Sequence, residues 1–458
     1  MSGLWPLDDG HWVVADNRWD LAPPPSREPT VSVIIPYYEQ PWQLELVLTA
    51  LSMQTHPADL IEVIVADDGS RNAPDVAHHD LTVSVVRQPN NGFRAAAVRN
   101  LGAAAAGGEV LCFLDADTVP EPDYLSRATR LPAAVPDAVV VGRRRHADLS
   151  GWSPTRLRGW WDGAHVGPAV LEEPGWLVEA YTRTRNLLIP GWDAYKYLIS
   201  AVLTCHRSMF VHAGGFDESF DRYGGEDWEL ANRMFMCGAV LAHVPDAVAW
   251  HDGPDWGLRA GPERTEVKNA EAQALAPLIT DPAARTSGLR FRIPDVAVTL
   301  AVDGHTPASL QRTVASLLTG PQGIPLDHAI WLCGNGADEM LRVLGVCDTR
   351  VRTGLPDQEV VRRCRYTVHI SGRVVVESGA LGRVFADLGP GGAGAASVDV
   401  GADGSVTVHT SRARHRARRL TPYGWSEDTA IRALFGVNSL VGDDIGIRVV
   451  GDEPDLSW

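Results

Sequence analysis

Asp115 and Asp117, one residue apart in the stretch FLDADTVPEPDYL (113–125), are the pair in this chain best spaced to do chemistry. The apolar run 110–114 is expected to be a buried strand, which Pro120 and Pro122 keep from continuing. Two carboxylates held at a strand end, with only Ala116 between them, can share a divalent cation. Mg²⁺ or Mn²⁺ bound by one or two carboxylates takes its other ligands from water and phosphate oxygens. An Asp-x-Asp is also common in turns, so the rest of the chain decides between the two.

The elements that would position the pair can be read on either side of it. An apolar run, 31–35 (VSVII), is closed by Pro36, and Leu44, Val47, Leu48 and Leu51 then recur at helical spacing. A second run, 61–66 (IEVIVA), ends in Asp67-Asp68-Gly69-Ser70. A third, 83–86, leads through NNGF into the alanine-rich helix RAAAVRNLGAAAAGG. Strands alternating with helices predict an α/β fold, a mostly parallel sheet with helices on both faces. Ligands of such sheets bind outside the carboxyl ends of the strands. Asp67, Asp68, Asn90, Asn91, Asp115 and Asp117 all fall at those ends.

Residues 140–200 carry few strand signals but hold Trp152, Trp160, Trp161, Trp176 and Trp192. Further on, the chain repeats itself. VAVTLAVDGHTPASLQRTVASLL (296–318) aligns with VSVIIPYYEQPWQLELVLTALS (31–52) after one inserted residue. In that alignment Asn335 falls on Asp68, and Ser371-Gly372-Arg373 on Asp115-Ala116-Asp117, so the second copy has lost the carboxylates and is expected to bind no metal. The domain reading is an arm over 1–29, a first domain over 30–270, a linker over 271–294 and a smaller α/β domain over 295–458.

Composition narrows the function. The 458 residues are 45% apolar and 21% charged, enough for two cored domains. A formal charge of −16 argues against nucleic acid or an anionic membrane as a general partner, so an anionic ligand needs a local device. No apolar run is long enough for a membrane span, and the acidic start MSGLWPLDDGHW does not read as a signal peptide. The six cysteines form no CxxC pair and are read as thiols of a cytoplasmic protein, without a zinc site. The basic run SRARHRARRL (411–420) reads as a solvated charged face, the alternative being a surface that meets an anionic acceptor or partner.

Seven motifs stand in one order: VSVIIPYYEQ, VIVADDGS, NNGFRAAAVRNLGA, FLDADTVP, GGFDESF, GGEDWELANR and VAWH. Together they resemble the family 2 glycosyltransferases with the GT-A fold, over roughly residues 30–260. The resemblance implies a Rossmann-like catalytic domain, a nucleotide-sugar donor (UDP-linked in the first instance) and a divalent metal, Mn²⁺ or Mg²⁺. It also implies inverting transfer to a hydroxyl of a small metabolite, peptide or saccharide.

By the same resemblance Pro36, Tyr38 and Glu39 hold the base and ribose, and Asp68 accepts the uracil N3–H. Asn91, with Asn90 and Gly92, opens a helix that attracts phosphate, and Arg99 clamps it. Asp115 and Asp117 bind the metal with His251. Asp227 is the general base, Glu226 orients acceptor or donor sugar, and Gly225 with Gly224 lets backbone approach the sugar. The tryptophans of 152–192 lie where the family builds its acceptor pocket, and the second domain is left as packing surface, acceptor platform or homodimer interface. Two other readings stay open. A nucleotidyltransferase acting on sugar phosphates would carry a Gly-rich, basic loop after its first strand, which PYYEQPW is not. A non-catalytic sugar-nucleotide binder would have Glu226-Asp227 remote from the metal pair.

Overall fold

The computed structural model describes residues 3–76, 81–255, 263–286, 289–319 and 327–457. The chain divides into two compact units, residues 1–235 with 239–274, and residues 275–458 with 236–238. The first unit begins with a hairpin, β1 (Leu4–Pro6) against β2 (Trp12–Val14). Val13 and Val14 are buried, and Asn17 Nδ2 donates to the carbonyls of Leu187 and Leu241, which fixes the arm to the unit.

The β-branched runs become β3 (Val31–Tyr37), β4 (Ile61–Asp67), β5 (Thr82–Arg87) and β6 (Val110–Leu114). They pair in parallel, in the order β5-β4-β3-β6. The strand β3 runs on through Pro36, where a stop was expected. Its pairing with β6 ends at Ile34, so the missing N–H of Pro36 interrupts no ladder there. The crossovers include α1 (Pro41–Leu51) and α2 (Ala95–Ala105). Helix α2 starts at Ala95, past the Asn90–Gly92 loop expected to open it. It lies close on the sheet: a Cβ on Gly102 would stand 2.6 Å from the Ile34 side chain.

After Asp117 the chain re-enters the sheet as β7 (Thr118–Pro120), so Pro120 closes this short strand and not β6, which stops at Leu114. The sheet is completed by β8 (Ala138–Asp148), β9 (Ala169–Leu171), β10 (Val202–His206) and β11 (Val240–Asp252), in the order β5-β4-β3-β6-β10-β8-β11-β7 with β9 beside β8. The strand β8 lies in the region that read as poor in strands. Arg143, Arg144 and Arg145 interrupt its apolar run, but β11 pairs along its whole length. Here the ladder overrides local composition.

The second unit contains β12 (Val296–Ala301), β13 (His328–Cys333), β14 (Val351–Thr353), β15 (Tyr366–Ser371), β16 (Val374–Val376), β17 (Ala395–Asp399), β18 (Ser405–Thr410), β19 (Val437–Val441) and β20 (Ile447–Val449). Its sheet order is β14-β13-β12-β15-β18-β17-β19. Strand for strand this is β5-β4-β3-β6-β10-β8-β11, with the same sense at every pairing. Even β16 pairs antiparallel with β20, as β7 does with β11. Val31 pairs with Ile61 and Val110, and Val296 with His328 and Tyr366. Counting on from those partners sets Asp68 on Asn335, and Asp115 and Asp117 on Ser371 and Arg373.

Two expectations for this half change. Residues 275–294, expected to be a linker, belong to the second unit, with Ile279 and Ile293 buried. The basic run is the helix Ser411–Arg419, whose Arg412 and Arg416 are buried with their guanidinium groups over Phe435, so it is not a solvated face.

Candidate active site

The end of β6 delivers Asp115 and Asp117 to the carboxyl edge of the first sheet, with Ala116 buried between them. Asp115 Oδ1 accepts from Arg99 Nη2 at 2.9 Å, and Arg99 Nη1 donates to Glu226 Oε1 at 3.0 Å. Arg99 is 5% exposed. Burial opposes its charge, but Asp115, Glu226 and Asp227 outweigh that and hold its pKa above the usual value. Arg99, expected as a phosphate clamp, bridges the two acid pairs.

Asp117 faces His251, with Oδ1 3.2 Å from Nδ1, and accepts from Thr118 Oγ1 at 3.3 Å. Burial works against the Asp117 carboxylate, yet His251 and Arg144 hold its pKa below the ordinary value. The histidine is placed by pairing: in β11 it stands opposite Thr118 of β7 and His146 of β8. Oxygen and imidazole donors side by side suit a borderline cation such as Mn²⁺. Asp115 spends one oxygen on Arg99 while its side chain stays 31% exposed, so the second can serve a cation. The donor types of Asp115, Asp117 and His251 suit a divalent metal, although the ligand atoms of the three do not all lie within 4.8 Å of one another.

Gly224 and Gly225 turn the chain with φ of 97° and 96°, a left-handed region that other residues avoid. The helix Glu226–Met236 follows at once, so its two leading acids lie at the positive end of a helix. Asp227 Oδ1 accepts its hydrogen bond from the Trp228 N–H at 2.8 Å. Burial, then the Glu226 charge, push the Asp227 carboxyl up to about 7, against the opposing pull of Arg99. Glu226 Oε2 is buried without a hydrogen-bond partner.

On the nucleotide side, both Asp68 oxygens are occupied, one by Gln88 Nε2 at 2.6 Å and one by the Arg94 N–H at 3.0 Å. Asp68 therefore ties β5 to the start of α2, and it can meet a base only by exchanging a partner. Tyr38 is 49% exposed, and its hydroxyl accepts from Asn90 Nδ2 at 3.2 Å. Pro36 lies within β3, and Asn91 is exposed. Glu39 sits at φ 51°, accepts from the Arg71 N–H and donates its own N–H to Ser70. Of the tryptophans, 152, 160, 161 and 250 pack on one another, Trp192 meets Phe235 edge-on, and Trp176 is exposed.

Three residues that the sequence reading did not single out stand at the site. His146 meets His251 edge-on at 5.2 Å, and burial lowers its pKa to about 4, so it is neutral. Arg144, paired with Asp255 at 2.9 Å, adds positive charge beside Asp117. Tyr223, just before the glycine pair, is 56% exposed, yet the protein around its hydroxyl and nearby acids, Asp115 and Asp227 among them, raise its pKa. A strand reading of 138–148 would have exposed the first two, because β8 lies against β11.

The family model described as "Glycosyl transferase family 2" matches residues 32–189, and that described as "N-terminal domain of galactosyltransferase" matches 192–249. Residues 32–189, within the first unit, are thus similar to glycosyl transferase family 2. Chondroitin synthase of Escherichia coli is 27% identical over 59% of this chain and 42% of its own length. Validoxylamine A glucosyltransferase of Streptomyces hygroscopicus subsp. limoneus is 30% identical over 56% of this chain and 57% of its own. Hyaluronan synthase of Pasteurella multocida is 26% identical over 49% of this chain and 24% of its own. The chain thus spans less than two thirds of each of these relatives. Among the described residues no helix is long and apolar enough to cross a membrane.

Proposed function

We propose that the first unit transfers a sugar, with inversion, from a nucleotide-sugar donor to a hydroxyl of its acceptor. Asp227 carries this reading: its carboxyl, pushed up to about 7, lies in one charge network with Glu226, Arg99 and Asp115. A carboxylate with that pKa is a far better proton acceptor than an ordinary aspartate. The acceptor oxygen attacks the anomeric carbon as the bond from that carbon to the diphosphate breaks. The electron pair leaves with the nucleoside diphosphate, and the hydroxyl proton passes to Asp227. Glu226, fixed by Arg99, orients the sugar, and the Gly224-Gly225 turn gives its ring a close backbone approach.

Asp115, Asp117 and His251 would hold a divalent cation, Mn²⁺ or Mg²⁺, which when bound neutralises charge developing on the diphosphate. Tyr38 offers an exposed ring for the base, and the 90–92 loop before α2 lies beside it for the phosphates. A UDP-linked donor is the first to try. Relatives named as chondroitin and hyaluronan synthases make saccharides the first acceptors to assay. The six free cysteines fit a reducing compartment, and a cytoplasmic location is part of the proposal. The network from Asp115 through Arg99 to Glu226 favours a transferase over a mere sugar-nucleotide binder. The test is release of nucleoside diphosphate from a panel of nucleotide sugars with and without Mn²⁺, with the anomeric configuration of the product read by NMR. Retention of configuration, or turnover independent of Asp227, would remove this mechanism.

A further inference from the structure

At the opposite end of β6 from Asp115, three side chains from separate elements converge. Glu109 immediately precedes β6, His206 ends β10 directly opposite Val110, and His11 leads into β2 of the N-terminal hairpin. One ligand atom from each lies within 4.8 Å of the other two. Glu109 Oε1 is 3.3 Å from His11 Nε2 and 3.8 Å from His206 Nε2. The edge of a tetrahedron around zinc, built on bonds of about 2 Å, is about 3.3 Å.

The outer contacts point the same way. Asp9 Oδ1 lies 3.0 Å from His11 Nδ1, and His206 Nδ1 accepts from the Ser208 N–H at 3.2 Å, with Ser208 Oγ 2.7 Å away. Both Nε2 atoms are turned toward Glu109 Oε1, and zinc would take the place of the protons that lie between them and that oxygen. Arg27 holds the other Glu109 oxygen at 2.6 Å, the kind of outer partner that orients a metal ligand. The three side chains are 15 to 20% exposed, which leaves an ion a way in.

We propose that His11, Glu109 and His206 form a zinc site, with water as fourth ligand, that clamps the N-terminal hairpin to the sheet. The site is separate from Asp115 and Asp117: six residues of strand set them about 20 Å apart. Two of its ligands come preset by the β6–β10 ladder, and the third arrives with the hairpin.

The test titrates Zn²⁺, and Co²⁺ as its visible probe, into the full chain and into the variants His11→Gln, His206→Gln and Asp117→Asn. Wild type and Asp117→Asn should each bind zinc at this site, with the Co²⁺ absorption of a four-coordinate centre. His11→Gln and His206→Gln should each weaken it by more than about 100-fold, beyond the loss of an outer partner. His11 lies in a surface hairpin, so its variant reports binding even if His206→Gln disturbs the helix that follows it. Zinc should also slow proteolysis of the arm in wild type and not in His11→Gln. Unchanged zinc binding in His11→Gln, or loss of all zinc binding in Asp117→Asn, would overturn the proposal and leave a hydrogen-bonded cluster only.

Discussion

In the first unit β6 runs into Asp115-Ala116-Asp117; in the second, β15 stands at the same place in the same strand order and runs into Ser371-Gly372-Arg373. Arg373 donates to the Gly304 carbonyl and to Glu453, and its charge repels a divalent ion. A second acid pair has the opposite history. The helix before β11 opens with Glu226-Asp227, and the helix before β19 opens with Glu427-Asp428. Glu427, however, is spent on Arg414 and Arg418, at 3.0 and 3.1 Å. Glu226 Oε1 meets Arg99, and its second oxygen is buried without a hydrogen-bond partner. The second sheet thus carries both a cleft and an acid pair, with Glu427 of the pair held by arginines. A cavity of about 670 Å³ persists around Gly334–Glu339, where the first unit has Asp67 and Asp68. Neutralisation separates the two halves more than shape does.

The sharpest way to break this comparison is to remove the base. Asp227→Asn should leave donor binding intact and lower kcat by about 10²-fold or more, while Asp428→Asn leaves kcat unchanged. Equal losses from the two would mean that both halves are catalytic. Next in size is Asp117→Asn, which should weaken Mn²⁺-dependent UDP binding in calorimetry, with no effect from Arg373→Ala. One nucleotide per chain is expected, and a second that survives Asp117→Asn would restore a site to the other half.

Arg99→Gln tests the bridge. It leaves two carboxylates facing each other, and loss of one partner from such a buried pair costs about 3 to 5 kcal/mol, measurable by urea unfolding. Because Arg99 pulls the Asp227 pKa down, this variant should also move the pH profile. The base works deprotonated, so the wild-type rate should rise with pH through about 7, and the Arg99→Gln limb should lie higher. An unmoved limb would mean that Asp227 does not control it. The smallest expected effect is that of Asp68→Asn, which keeps one acceptor oxygen for Gln88 or Arg94 and should raise the donor KM only several-fold.

What was legible followed how local each signal was. The runs before Asp67 and Asp115 are apolar and bounded, so β4 and β6 could be read where they lie. The acids at strand ends followed from topology, and the repeat from its paired Pro41 and Pro307, each of which opens a helix. Strand β8 was not legible, because three arginines mask a strand that only β11 makes evident. The role of Arg99 was hidden for the same reason: both its partners are brought by folding, and its own helix gives no hint of them. The buried arginines of 411–419 show the limit of reading charge as exposure, since an aromatic face at Phe435 shelters them.

The Arg99 bridge also sets an order of assembly. It reaches Glu226 across 127 residues of chain, so a growing polypeptide has α2 and β6 long before it has the second carboxylate. Until Glu226 arrives, docking α2 would sink a guanidinium with one counter-charge, and the core beneath it should stay loose. The closing of that core and the completion of the site are then one late event in folding. The boundary between the two family matches, near residues 189 to 192, is for that reason no place to divide the chain. An N-terminal piece ending there should collapse without consolidating, and protection of α2 amides from hydrogen exchange should appear only once the piece carrying Glu226 is added.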